Sequence, residues 1–305
     1  MSLLLEYPNY LTNLSKGQYP WTYPGGEVGI RVPAGTTISK CTARMQNAQD
    51  ILQFIMASRG REEGPFQDVL IPYLPYARQD RVAVPGDPNA INVFADLIRE
   101  SLVRRVFTID AHSPESEKAF LTRGISFQSL SPLPYIREYI LSTVALGVRV
   151  ALVAPDKGSR EKTEQYHRAL VMDENLRLSG VIMGGIVYCD KVRDPTTGKI
   201  SGFSAKVYDR DGNPVAFNPD EWTDVQFVIV DDICDGGGTF RGIREQVFKP
   251  DNTVHLWTTH GIYSGPGGVE ELAKAFTSVG STDSFSNLAA TSTRISGANY
   301  IRVKI

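Results

Sequence analysis

The stretch 227-FVIVDDICDGGGTF-240 decides how the rest of the chain is read. Four apolar β-formers, Phe227–Val230, run into two adjacent carboxylates, Asp231 and Asp232. A third, Asp235, is followed by Gly236, Gly237, Gly238 and Thr239, and then Phe240, Ile243 and Val247 recur at helical spacing. The segment Asp235–Thr239 therefore sits at a strand-to-helix junction. Glycines let successive N–H groups converge on one anion, and the helix N-terminus adds its dipole and unpaired donors. Thr239 can donate a hydroxyl. The loop lacks the Gly-Lys-Ser/Thr ending of a Walker A motif and the spacing of a dinucleotide fingerprint. Asp231 and Asp232 would repel a bare phosphate, so their task is to accept hydrogen bonds from vicinal hydroxyls or to hold Mg²⁺. A phosphate cradle beside two hydroxyl acceptors describes a sugar phosphate; the alternative is a tight turn with a capped helix.

The same pattern repeats outward. Further strands are expected at 67-QDVLIPYL-74, 104-RRVFTIDA-111, 148-VRVALVAP-155, 180-GVIMGGIVYC-189, 225-VQFVIVDD-232 and 252-NTVHLWTTHG-261. Each is near-continuously apolar, as strands buried on both faces of a parallel sheet should be. Between them Met45, Ala48, Ile51, Leu52 and Ile55 recur at helical spacing, as do Ile91, Phe94, Leu97 and Ile98, and Val269, Leu272 and Phe276. Strand–helix alternation implies a doubly wound α/β architecture whose ligands sit at the carboxyl ends of the strands. Asp211-Gly212, within 206-KVYDRDGNPVAF-217, reads as a β-hairpin turn. A soft boundary near 141–147 gives two domains, 1–145 and 146–305. The two halves are loosely alike, each with a strand ending in a histidine, His112 and His260.

Bulk properties set limits. The chain has 305 residues, long enough for two domains, with a formal net charge of −2. That balance gives no support to nucleic-acid or anionic-membrane partners, so any anion site must be local. Three cysteines without CxxC spacing (Cys41, Cys189 and Cys234) argue against a disulfide framework or a zinc site and fit a reducing, cytoplasmic setting. No apolar run approaches the ~18 residues of a membrane span, and the three leucines before Glu6 are too few for a signal-peptide core.

Four polar clusters fall at the ends of expected strands. In 71-IPYLPYARQDR-81, Arg78 can clamp a polyphosphate and Gln79 can read a base edge or the phosphates, with Asp80 and Arg81 completing the cluster. A solvated loop with an internal ion pair is the plainer alternative. In 108-TIDAHSPESEKAF-120, His112 lies just past a strand end beside Asp110, a position suited to metal or phosphate. In 153-VAPDKGSREK-162, Asp156 precedes Gly158 at another strand end and offers an oxygen ligand for Mg²⁺. In 190-DKVRD-194, Lys191 and Arg193 follow a strand ending near Cys189, on a loop expected to be mobile; taken alone they are a solvated charge pair.

These motifs resemble a known family. The segment 231-DDICDGGGT-239 is similar to the ribose-phosphate loop of type I phosphoribosyltransferases and of ribose-phosphate pyrophosphokinases, the phosphoribosyl pyrophosphate (PRPP) synthetases, and does not separate them. The segment ending in Arg78-Gln79-Asp80-Arg81 resembles the nucleotide-binding stretch of the synthetases, which simple phosphoribosyltransferases lack. Asp110-Ala111-His112 resembles the synthetase segment whose His contacts Mg²⁺ and ATP. Pro155-Asp156 resembles a second metal motif, with Ser159 in place of a glycine. Lys191-x-Arg193 keeps the spacing of the pair on the flexible loop that closes over the reacting phosphates. Finally, 23-YPGGE-27 resembles the segment that reaches a neighbouring subunit's ATP site, with Tyr23 as a stacking platform, Gly25 in place of the usual Asp, and Glu27 retained.

The resemblance spans roughly residues 23–284 and implies a divergent, N-terminally shortened member made of two tandem type I phosphoribosyltransferase-like α/β domains with mainly parallel sheets flanked by helices. It implies that ATP and ribose 5-phosphate give PRPP and AMP in the presence of Mg²⁺. ATP would be held by Tyr23, Gly25, Glu27, Arg78, Gln79, Asp80 and His112, and the metal by His112 and Asp156. Ribose 5-phosphate would be held by Arg193, Asp231, Asp232, Asp235, Gly236, Gly237, Gly238 and Thr239, with Lys191 and Arg193 as the catalytic cations. A homo-oligomer with the ATP site at a subunit interface is expected, without nucleic-acid or membrane partners. The rival readings are a phosphoribosyltransferase that consumes PRPP with a base, and a non-catalytic synthetase-like subunit.

Overall fold

The computed structural model describes residues 4–6, 21–32, 40–145, 147–193, 200–285, 293–295, 298–303 and 305. It divides into two compact units, Met1–Ser131 with Ser284–Ser286, and Pro132–Asp283 with Asn287–Ile305.

In the first unit the elements run β1 (Leu4–Glu6), β2 (Trp21–Thr22), β3 (Val28–Gly29), β4 (Lys40–Arg44), α1 (Ala48–Arg59), β5 (Asp68–Leu70), α2 (Ala90–Arg99), β6 (Arg105–Ile109), α3 (Pro114–Leu121) and β7 (Ser126–Leu130). The sheet order is β1-β4-β5-β6-β7. Strands β4 to β7 are parallel, and β1 lies antiparallel to β4. Helix α1 starts where the sequence supplies a capping box: Asn47 Oδ1 accepts from Asp50 N at 3.0 Å, and Asp50 Oδ2 accepts from Asn47 N at 3.3 Å. Phe54, Phe66, Phe94 and Phe120 are fully buried in the core between these helices and the sheet. A bidentate pair, Arg105 to Asp68 at 2.6 Å on both oxygens, ties the start of β6 to that of β5.

The second unit runs α4 (Leu133–Thr143), β8 (Arg149–Ala154), α5 (Arg160–Val171), α6 (Glu174–Leu178), β9 (Ile182–Arg193), β10 (Ile200–Tyr208), β11 (Pro214–Ala216), β12 (Val225–Cys234), α7 (Gly238–Val247), β13 (Val254–Gly261), α8 (Gly268–Ala275), β14 (Ser278–Thr282), β15 (Thr293–Ile295) and β16 (Ala298–Val303). The sheet order is β11-β10-β9-β8-β12-β13-β14-β16-β15. Its centre, from β9 to β16, is parallel, and the strands β10, β11 and β15 at its two sides are antiparallel. Alternation along β12 feeds two cores: Phe227 and Ile229 face one, Val228 and Val230 the other. Truncating Phe227 to Ala would cost about 3–5 kcal/mol.

Three expectations are corrected here. The division falls at Ser131/Pro132 rather than at 145/146, because α4 packs on β13, β14 and β16 and so belongs to the second unit. The strand expected to end near Cys189 continues to Arg193, because β10 pairs with it antiparallel, with Phe203 opposite Lys191 and Ile200 opposite Arg193. Lys191 and Arg193 thus stand on a strand, while residues 194–199 of the expected loop lie outside the described residues. The strands β1 and β2 also precede Tyr23, in the part of the chain expected to be shortened. The hairpin is present, with Gly212 at φ +83° in its turn.

Candidate active site

The polar clusters of the second unit gather at the carboxyl ends of β8, β9 and β12. Strand β12 carries Asp231 and Asp232 within its last four residues, then breaks into the glycine loop. Gly237 is the N-cap of α7 with φ +74°, and a Cβ there would come within 2.9 Å of Leu272. Glycine is required at that position by both strain and packing. Gly236 and Gly238 differ: their φ is not positive, and a Cβ on either would meet no heavy atom of the described residues within 4 Å. The fold does not need glycine there, but an anion seated on the backbone N–H groups would. No side-chain hydrogen bond caps α7 among the described residues, so its first-turn donors remain for a ligand. Helix α7 begins at Gly238 rather than Phe240, which puts Thr239 in the first turn.

Beside this cradle, Asp156 closes a tight turn at the end of β8. Its Oδ1 accepts from Gly158 N at 3.0 Å and Ser159 N at 3.2 Å. Ser159, the residue that departs from the family's glycine, bonds back to Asp156 O through its hydroxyl at 2.9 Å and so stabilises the same turn. The other carboxylate oxygen, Oδ2, meets Lys191 Nζ at 2.9 Å. Asp231 lies close enough to be influenced by two like charges. Burial first, then Asp232 and Asp156, hold its carboxyl well above the usual carboxylate range.

Among the described residues no three His, Cys, Asp or Glu side chains form a ready-made metal cage. The donor set still suits Mg²⁺, which takes one or two carboxylates and fills its other positions with water and substrate phosphates. Asp156 Oδ2 and the crowded pair Asp231–Asp232 are such carboxylates.

The nucleotide-type residues are on the first unit. Arg78 and Gln79 are exposed on the loop between β5 and α2, and His112 is exposed on the loop between β6 and α3. The two loops are joined: Ser113 Oγ donates to Asp80 Oδ2 at 2.6 Å while capping α3, and Asn89 donates to Asp80 O at 3.0 Å. Asp80 is therefore a brace within this unit, with one oxygen committed to Ser113. Asp110, at φ +49°, turns the chain out of β6 toward His112. Tyr23 and Glu27 are exposed at the tip of the β2–β3 hairpin. Gly26 N donates to Tyr23 O at 2.8 Å and Tyr23 N to Glu27 O at 2.7 Å, with Gly26 at φ +91°, the pattern of a type I turn followed by a G1 bulge. A Cβ at Gly25 would meet open space, so the exchange of the family's Asp for Gly costs no packing.

Of the expected site residues, Lys191, Asp156, Asp231, Asp232 and the glycine loop meet at one end of the second sheet. Arg193 lies on β9, and the account of it stops at the backbone. Sequence reading overlooked Ser264, whose hydroxyl donates to Asp235 and whose N donates to Asp235 O at 3.1 Å. It belongs to 259-THGIYSGPGG-268, a second strand-to-helix glycine loop. There Gly265 approaches Gly236 so closely that a Cβ would fall 2.5 Å from the Gly236 carbonyl oxygen. The available signal was its repetition of the first loop's form: strand, polar residue, glycines, helix.

Comparison with known proteins concerns the chain as a whole. The chain is 28% identical over 262 residues to the ribose-phosphate pyrophosphokinase of Caldanaerobacter subterraneus, covering 83% of this chain and 73% of that one. It is 24% identical over 278 residues to the ribose-phosphate pyrophosphokinase of Methanopyrus kandleri, covering 87% and 82%. The chain is thus similar to ribose-phosphate pyrophosphokinases over most of its length. At these identities it is divergent from those relatives, and no protein-family model matches it. The crystal structure of phosphoribosylpyrophosphate synthetase from Mycobacterium smegmatis shares the fold, with a TM-score of 0.63 at 18% identity over 94% of this chain and 85% of that one. The pyrophosphokinase fold, two phosphoribosyltransferase-like α/β units in tandem, is thus the fold of this chain.

Proposed function

We propose that the chain is a ribose-phosphate diphosphokinase, transferring the β,γ-pyrophosphoryl group of ATP to ribose 5-phosphate to give PRPP and AMP. The observation that carries this reading is the separation of two binding sets on one chain. The second unit holds a sugar-phosphate cradle beside Lys191 and Asp156. The first holds an exposed Arg78–Gln79 loop that a phosphoribosyltransferase has no use for.

In this reading the N–H groups of Asp235–Thr239 hold the 5-phosphate, and Asp231 and Asp232 hold the ribose hydroxyls. Arg78 and Gln79 bind the nucleotide, Tyr23 stacks on its base, and Gly25, Glu27 and Asp80 complete that side. The C1 hydroxyl oxygen attacks the β-phosphorus and loses its proton to water, the bond from that phosphorus to the α,β-bridging oxygen breaks, and AMP leaves with the bond's electrons. Lys191 and Arg193 offset the charge that develops on the transferred group; such positioning and charge stabilisation carry most of phosphoryl-type catalysis. Asp156 in the second unit and His112 in the first would each offer a ligand to Mg²⁺, which when bound neutralises phosphate charge. The same reading makes the protein a cytoplasmic homo-oligomer whose Tyr23 hairpin serves a neighbouring subunit's ATP. Among the described residues no helix is long and apolar enough to cross a membrane.

The test is incubation with ATP, ribose 5-phosphate and Mg²⁺, following AMP and PRPP. Formation of both is expected. Absence of AMP, with base-dependent pyrophosphate release from PRPP, would replace this reading with a phosphoribosyltransferase.

A further inference from the structure

Two cations have a claim on one carboxylate oxygen. Asp156 Oδ1 is committed to two backbone N–H groups, Gly158 and Ser159, so the carboxylate is fixed in its turn and presents Oδ2 outward. Oδ2 is the oxygen a metal ion would take, and it is also the oxygen that Lys191 Nζ contacts at 2.9 Å. We propose that Lys191 and the divalent cation compete for Asp156 Oδ2, so that metal binding expels the ammonium and hands it to the transferring phosphoryl group. This rests on the metal role proposed above for Asp156.

Three features support an exchange of one cation for the other. The backbone of Lys191 is fixed in β9, paired with Phe203 of β10, so the move open to it is a swing of its four-carbon stem. Both side chains are partly exposed, Lys191 at 24% and Asp156 at 35%, so the ion pair is accessible to an incoming ion and is not sealed in the core. Asp156, Asp231 and Asp232 lie at the ends of β8 and β12, close enough for their charges to act on one another. Loss of Lys191 without a replacement would leave this group of carboxylates uncompensated, whereas a divalent cation arriving as Lys191 leaves keeps it neutralised. A lysine parked on the metal ligand also ties the availability of the catalytic ammonium to metal occupancy, without requiring a loop to close.

Calorimetric titration of Mn²⁺ into the full chain, without nucleotide, tests this for the natural sequence, Lys191→Met and Asp156→Asn. Methionine keeps the apolar stem and removes the charge. Competition requires Lys191→Met to bind Mn²⁺ about two- to fivefold more tightly, the factor that removal of a partly exposed ion pair releases. Unchanged or weaker binding by Lys191→Met, with binding lost in Asp156→Asn, overturns the competition and leaves the metal role of Asp156 standing. Undiminished binding by Asp156→Asn removes that role and the competition together. Tighter binding by Lys191→Met in a chain that makes no AMP from ATP and ribose 5-phosphate upholds the competition and sinks the proposed reaction.

Discussion

The two ends of the second unit's sheet treat buried polar groups in opposite ways. At the amino ends of β12, β13 and β14, His255 is held between Ser278 Oγ at 2.7 Å and Gln226 Oε1 at 3.1 Å. Ser278 in turn meets the hydroxyl of Tyr139 at 2.7 Å, and that hydroxyl donates to Leu256 O at 3.1 Å. Burial pushes His255 down to about 4, so the ring is neutral and partnered. At the carboxyl ends the arrangement is reversed. Asp231 is half-buried against Asp232 with Asp156 nearby, and the glycine cradle turns open positions toward solvent. A polar network satisfied within the protein supports the fold. A polar cluster in mutual conflict is stabilised by what binds it, and its residues serve activity at some expense of stability. Substitutions at the two ends should therefore separate activity from stability.

The largest effect belongs to Lys191→Met. AMP formation should fall by about 10²–10³, the usual consequence of removing one group that stabilises developing charge, while the melting temperature stays within about 2 °C. Normal turnover would remove Lys191 from the chemistry. A large drop in melting temperature would show that the carboxyl end, like the amino end, is built for the fold. Gly238→Val comes next. Its Cβ enters open space, so stability should hardly change. The branched side chain would block N–H groups that a phosphate needs, at about 1.5–3 kcal/mol for a charged hydrogen bond lost. The KM for ribose 5-phosphate should rise by about ten- to a hundredfold with the KM for ATP unaltered. Equal shifts in both constants would mean that the cradle does not hold the sugar phosphate.

The amino end was nearly invisible in the sequence, and the reason is physical. Strands β8, β12 and β13 announce themselves through near-continuous apolar runs. Strand β14, 278-SVGST-282, does not: Ser278, Ser281 and Thr282 are buried through hydrogen bonds, and Gly280 is small because the Tyr139 ring lies against it. The carboxyl end was more legible, since glycines and carboxylates at a strand end have few structural uses. What could not be read there was pairing across distance. Lys191 finds Asp156 35 positions away and Ser264 finds Asp235 29 positions away, contacts set by strand order and not by local pattern. The extension of β9 through Asp190 and Lys191 was hidden for the same reason. Arg160 at 2.7 Å and Lys206 at 4.0 Å compensate Asp190, so charged residues continue a strand that local hydropathy would end.

A pH experiment tests the amino end. An unfolded histidine takes up a proton near pH 6.5, whereas His255 in the folded chain does so only near about 4. Between these values the unfolded state binds more protons, so stability rises with pH across the window and falls on acidification. From pH 7 to pH 5 the loss attributable to His255 should be about 2 kcal/mol. Denaturant unfolding of the natural chain and of His255→Gln at both pH values isolates it, because other groups titrate equally in the two. Parallel pH dependence would mean that the ring is not held neutral by its burial.

The smallest effect is the most direct test of the contrast. The raised pKa of Asp231 means that the folded chain keeps its proton to higher pH than the unfolded chain, whose carboxyl titrates near 3.8. Stability is therefore lost as pH rises through the interval above 3.8, and at neutral pH the carboxylate is a cost to the fold. Asp231→Asn removes that cost while keeping the shape. The variant should gain about 1 kcal/mol at pH 7, a rise of about 2–4 °C in melting temperature for a unit of this size, and the gain should shrink toward pH 4. On the role proposed for Asp231, AMP formation should fall in the same variant, because an amide cannot replace a carboxylate that binds ribose hydroxyls. Stabilisation with loss of turnover is the signature of a residue retained for its ligand. A variant less stable at pH 7 would place Asp231 beside His255, as a buried polar group satisfied by the protein itself, and the opposition between the two ends of the sheet would fail.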